Sequence, residues 1–141
     1  MAAEASAYAL DSFALLAYLE GETGRPRVKE LMSGAQSGKC SLYLSLINLG
    51  EVLYITEREH SLVLAQRALA AIDQLPLQIV PASRAAVLAA AHIKARYPIS
   101  YADAFAVVTA QDCQCVLLTG DPEFHSVAAD GLIAVEWLPR R

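Results

Sequence analysis

No apolar run in this 141-residue chain reaches the roughly 18 residues that a membrane-spanning helix needs. The start, MAAEASAY, has neither the basic region nor the apolar run of a secretory leader. Cysteine is scarce and odd in number: Cys40, Cys113 and Cys115. An odd set without a leader predicts free thiols in a reducing cytoplasm, not a disulfide framework. Cys113-x-Cys115 has no second pair at zinc spacing, so buried free thiols are expected there. Charge is also sparse, at 18% of residues, and leans negative, with a net charge of −4. That excludes the basic footprint of a passive nucleic-acid binder. It leaves room for a nuclease that holds divalent cations, because the metal supplies the positive charge. His60, His92 and His125 are scattered, no H-x-x-x-H spacing occurs, and no serine or cysteine is matched with a histidine. No G-x-x-x-x-G-K phosphate loop is present.

Apolar residues, by contrast, are abundant. The hydrophobic share is 55%, where ~45–50% is usual for soluble domains. The excess is assigned to a dense core, an oligomer interface or a groove for a partner. The length predicts one domain over 1–141 that needs no disulfide or metal staple. Strand-like runs alternate with helical patterns, which predicts α/β with a mostly parallel sheet. Strands are expected at 6–11, 41–46, 77–81, 115–121 and, at an edge, 132–139. Helices are expected at 12–21, 25–36, 47–59, 61–75, 83–97 and 101–112. Tyr18, Tyr43, Tyr54 and Trp137 are read as core or interface, and His125 as a turn or surface residue.

The informative residues are acids. Of 15, eleven lie in polar stretches, at turns or near element ends, Glu123 among them. The other four lie against apolar neighbours, where a carboxylate is costly unless paired, hydrogen-bonded or bound to metal. Asp11 ends the first strand in YALD, and Asp121 follows the fourth in VLLTGD. Ligands bind beyond the carboxyl ends of parallel strands, so the two share a crevice if those strands are neighbours. Each also has a plain structural reading, Asp11 as a helix N-cap and Asp121 as a turn residue. Asp103 heads a helix whose Ala106, Val107 and Ala110 form an apolar stripe; with Ser100 it also fits a capping box. Glu51 stands mid-helix beside Ile47, Tyr54 and Ile55, where no cap is needed; a solvated helix edge is the alternative. Clustered carboxylates repel unless a cation bridges them. Mg²⁺ or Mn²⁺ suits such oxygen donors and can promote in-line displacement at a phosphodiester.

The blocks YALDSFALLAYLEGE, SLINLGEVLY, ISYADAFAVVTA and LLTGDPEF resemble, in that order, the four acidic blocks of PIN domains. The likeness runs from Tyr8 to Phe124 and is strongest to VapC toxins of bacterial and archaeal toxin–antitoxin pairs. It includes Ser45 six residues before Glu51, and the T-x-D-x-x-F pattern of Thr119, Asp121 and Phe124. The resemblance implies a three-layer α/β/α fold and Mg²⁺- or Mn²⁺-dependent cleavage of RNA. It implies Asp11, Glu51, Asp103 and Asp121 as the catalytic and metal-binding acids, with Asp11 and Asp103 the first direct ligands. Ser12, Asn48 and Thr119 match polar positions that support the site or contact substrate. It also implies a homodimer and a small antitoxin whose C-terminal segment lies in a groove. One departure is Gly120, which stands where a basic residue often precedes the last aspartate. The densest basic cluster, Arg25, Arg27 and Lys29, is read as a solvated helix face.

Two other readings compete. A phosphoacceptor receiver domain would want an acidic pair after the first strand and a lysine after a late one. Asp11 stands alone, and the lysines are Lys29, Lys39 and Lys94. A PIN-like module that only binds a partner is the other; the presence of all four acids argues against it.

Overall fold

Short runs of apolar residues form the centre of a parallel sheet, as expected of strands covered on both faces. The computed structural model describes residues 5–140, so residues 1–4, on which part of the reading of the start rests, and residue 141 lie outside it. Strands β1 (Ala7–Leu10), β2 (Ser41–Ser45), β3 (Leu77–Val80), β4 (Val116–Thr119) and β5 (Val135–Trp137) form one sheet in the order β3-β2-β1-β4-β5. All four pairings are parallel. The helices are α1 (Ser12–Glu20), α2 (Arg25–Gln36), α3 (Leu46–Glu59), α4 (Leu62–Ile72), α5 (Arg84–Arg96), α6 (Tyr101–Asp112) and α7 (His125–Ala129). A 3-10 turn, Pro122–Phe124, joins β4 to α7.

Side-chain alternation along the strands divides the core between two layers of helices. Ala9 and Leu117 face one way, into a cluster with Ala90, Ile93, Phe105, Val107 and Val127 of α5, α6 and α7. Tyr8, Leu10 and Leu118 face the other, into a cluster with Leu15, Val28, Leu31 and Val52 of α1, α2 and α3. The result is the three-layer α/β/α arrangement.

Helix starts follow the capping residues. The side chains of Asp11, Ser45, Ser61, Ser83 and Ser100 each accept a backbone N–H of the following turn, which satisfies a donor that the helix itself leaves free. Gly21 ends α1 at φ 68°, a left-handed C-cap that a Cβ would disfavour. The last strand is shorter than the expected 132–139, because Leu132 and Ile133 instead pack onto the α6 layer as a loop. The turn 122–124 and α7 were not expected from the sequence; five residues are too few to show a helical period. Among the described residues no helix is long and apolar enough to cross a membrane.

Candidate active site

Strand β1 sits between β2 and β4, so the chain leaves it first to one side and then to the other. At such a point the connections part and open a crevice above the carboxyl ends of the strands. Asp11 directly follows β1 and Asp121 lies two residues beyond β4, which puts both at this crevice. Asp11 is 1% exposed. Its Oδ1 accepts the Ala14 N–H at 2.9 Å and its Oδ2 accepts the Thr119 hydroxyl at 2.5 Å. The N-cap reading of Asp11 is therefore correct, and it uses only one of the two carboxylate oxygens. Burial pushes the Asp11 carboxyl up to about 8, beyond what the two hydrogen bonds recover, and the charges of Asp103 and Asp121 add to the rise.

Asp103 reaches the same crevice from the first turn of α6, with its N–H capped by Ser100 Oγ at 3.1 Å. It is 6% exposed. Burial raises its carboxyl to about 7, and Asp121, Glu123 and Glu51 push in the same direction. Carboxylate oxygens of Asp103, Asp121 and Glu123 lie within 4.8 Å of one another. Asp121 opens the 3-10 turn, its Oδ1 accepting the Glu123 N–H at 2.9 Å. That turn swings Glu123 back toward Asp103. Glu123 was grouped with the ordinary turn acids; the signal that could have singled it out is its place two residues after Asp121 within a Pro-initiated turn.

Glu51 stands at the side of this group. It is half-buried, and Ser12 Oγ donates to its Oε1 in a short hydrogen bond. Asn48, fully buried, connects the same region. Its Nδ2 lies 3.3 Å from Ser12 Oγ and donates to the Ala102 carbonyl at 3.2 Å, while its Oδ1 accepts from Ser45 Oγ at 2.7 Å. Asn48 thereby ties α3 to α1 and α6. Thr119 Oγ1 also accepts the Asp121 N–H at 3.0 Å. Ser12, Asn48 and Thr119 thus each hold an acid or the element that carries it.

The donors fit a hard divalent cation: they are all carboxylate oxygens, and burial, with the neighbouring acids, raises the proton affinity of Asp11 and Asp103. The family model for the PIN domain matches residues 8–130. The chain belongs to the PIN domain family. No curated protein matches it. Among solved structures it resembles VapC20 of Mycobacterium tuberculosis, a toxin that cleaves the sarcin–ricin loop, at 18% identity and a TM-score of 0.73, over 94% of this chain and 99% of that one. It resembles VapBC2 of Rickettsia felis, bound to a promoter DNA fragment, at 16% identity and 0.71, over 94% and 99%. VapBC-5 of Mycobacterium tuberculosis, from the VapBC family of toxin–antitoxin systems, matches at 16% identity and 0.59, over 96% and 99%. At these identities the likeness is one of fold.

Gly120 of this PIN domain has a local cause. A Cβ there would lie 2.6 Å from Phe13 Cζ, so the Phe13 ring occupies the place of a side chain. The basic cluster is not simply a solvated face. Arg27 bonds to Glu136 at 2.8 and 3.0 Å and to Glu30 at 2.7 Å, and Arg25 donates to the Tyr18 carbonyl at 2.9 Å. The three cysteines are half-buried, where fuller burial was expected, and Cys40 Sγ donates to the Leu31 carbonyl at 3.5 Å. Tyr54 and Trp137 are 51% and 40% exposed and do not belong to the core. A second group, Glu20, Glu59 and His60, is exposed at the far ends of α1 and α3, and a 3.6 Å contact between Glu20 Oε1 and His60 Nε2 accounts for its closeness.

Proposed function

We propose that this PIN domain is a Mg²⁺- or Mn²⁺-dependent endoribonuclease, the toxin of a toxin–antitoxin pair working in the cytoplasm. The observation that carries this reading is the gathering of Asp11, Asp103, Asp121 and Glu123, with Glu51 beside them, at the switch point of the sheet. Asp11, Glu51, Asp103 and Asp121 would hold the cation, and Glu123 is added to that set. When bound, such an ion supplies the positive charge that offsets the phosphodiester and the charge developing during displacement. The chain's own residues orient that site. Thr119 and the Ala14 amide fix Asp11, Ser12 fixes Glu51, and Asn48 holds α3 against α6. Apolar packing beneath Asp11 and Asp103 excludes water from one side of the crevice and keeps the two carboxylates in fixed positions for a cation. With a net charge of −4 the chain attracts RNA poorly at long range. Selectivity should then rest on the shape of a loop in the target.

A cognate antitoxin and a second copy of the chain are the proposed protein partners. Support comes from strongly exposed apolar side chains: Leu62, Val63, Leu64 and Leu69 on α4 and Tyr54 on α3. The apolar surface expected to receive an antitoxin helix covered the early helices, 12–36 and 47–75; none of the strongly exposed apolar side chains lies on α1 or α2, so it narrows to 47–75. An amphipathic antitoxin helix would lie there, and hydrogen exchange in the complex should protect that segment. Protection confined to 83–97 would contradict it. The function is tested by induced expression without an antitoxin: growth should arrest, and Asp11→Asn should not arrest it. Equal arrest by both chains would remove the metal-nuclease reading and favour a module that only binds.

A further inference from the structure

We propose that Trp137, held by His125, is a stacking platform for a nucleobase of the RNA beside the acidic crevice. The proposal rests on the nuclease reading and deepens it by assigning the group that grips the substrate.

Trp137 is the chain's single tryptophan, and two-fifths of it remains open to solvent. Its ring lies on that of His125, with centroids 4.2 Å apart and planes 25° from parallel. Its location is given by the register of the sheet. Trp137 pairs with Thr119, the residue that donates to Asp11. Val135 and Leu117, the register pair two positions earlier, both pack into the α5–α6–α7 core. Two residues further along, Trp137 and Thr119 therefore point to that same face, from which Asp103 enters the site. Trp137 is thus one strand outward from Thr119, about 4.8 Å in the hydrogen-bonding direction. His125 follows Glu123 by two residues and Asp121 by four, at the start of α7. The stacked pair stands at the rim of the crevice, on the acids' side of the sheet.

The chemistry of the rim favours a base over a phosphate. The crevice is acidic and repels an RNA backbone wherever no cation intervenes. Arg27 is held by two glutamates and Arg25 by the Tyr18 carbonyl and ring. A π-face needs no charge, and unpaired bases of RNA loops stack on aromatic side chains. Because His125 already orients the indole, little rotamer freedom is lost when a base joins the stack. The base would become the third ring of that stack.

The single tryptophan makes the test direct. A purine-rich RNA stem–loop is titrated into the Asp11→Asn chain, which binds without cutting, while indole emission is followed. Saturable quenching is expected. On RNA that the unaltered chain cleaves, Trp137→Leu should raise KM about tenfold or more and leave kcat within about threefold, and Trp137→Phe should recover most of the loss. Cleavage with no change in emission, or Trp137→Leu with an unchanged KM, overturns the platform and leaves the nuclease reading intact. Emission that responds to an added antitoxin but not to RNA also overturns it, making Trp137 a protein contact. Quenching by RNA that is never cut, with any metal, supports the platform and overturns the nuclease reading instead.

Discussion

Thr119 joins the two central strands at the point where they carry the acids: its hydroxyl donates to Asp11 across 2.5 Å while accepting the Asp121 amide at 3.0 Å. One hydroxyl thus fixes the orientation of the most buried acid and the entry to the turn that places Asp121 and Glu123. Thr119→Val keeps the shape and removes both bonds. It should raise the Mg²⁺ concentration needed for half-maximal cleavage by about 10–100-fold, the usual cost of losing a ligand's supporting partner. Thr119→Ser should stay near wild type. A Mg²⁺ titration of cleavage decides this, and identical half-saturation in all three chains would dismiss the role.

Acidity should govern stability before metal is added. Burial holds Asp11 up at about 8 and Asp103 at about 7, against 3.8 in an unfolded chain. The folded state therefore keeps protons that the unfolded state releases. The contribution of these groups is full below about pH 4 and is lost as pH rises toward 8. Metal-free melting temperatures should fall from pH 5 to pH 8. Asp11→Asn, which retains an N-cap acceptor, should flatten that fall and be at least as stable at pH 8. A strongly destabilised Asp11→Asn with an unchanged pH profile would show that the carboxylate is not under this strain.

Metal should reverse the repulsion. A ligand that binds only the folded state adds about 2.7 kcal/mol at a hundred times its Kd. Mg²⁺ should raise the wild-type melting temperature, and do so less in Asp11→Asn and Asp103→Asn. Equal shifts in the three chains would count against both as ligands. Glu123→Gln tests the acid that sequence reasoning passed over, and should also reduce the shift.

Gly120 and Phe13 should be energetically coupled. Gly120→Lys forces the Phe13 ring aside and is expected to cost about 1–3 kcal/mol, as overpacking does. In a Phe13→Leu background the same change should cost less by at least ~0.5 kcal/mol. Urea midpoints provide the measurement; strict additivity would mean that the ring is not what excludes a side chain.

Assembly should be visible in solution. Leu62, Val63 and Leu88 are each more than half exposed in the single chain, which a protomer with a partner explains better than a permanent monomer. Sedimentation at micromolar concentration should give a dimer, and a monomer there would refute the homodimer.

The strands, the first six helices and the parallel sheet were legible because apolar runs and capping residues are local signals. So were Asp11, Asp103 and Asp121, which stand out as acids against apolar neighbours at element ends. Strand order was not legible locally: that β1 and β4 adjoin, and so bring Asp11 and Asp121 together, is a property of the whole sheet. Glu123 escaped because its return toward Asp103 depends on a 3-10 turn and not on a periodic pattern. The Phe13–Gly120 contact joins residues 107 positions apart (120 − 13) and the stack of His125 on Trp137 residues 12 apart (137 − 125), and only the closed fold reveals them.

The most direct measurement is cleavage of a structured RNA by the purified chain, with Mg²⁺ or Mn²⁺ and again in EDTA. The account predicts discrete cuts with the metal, none in EDTA, and none from Asp11→Asn under either condition. Cleavage that proceeds equally well in EDTA would contradict it.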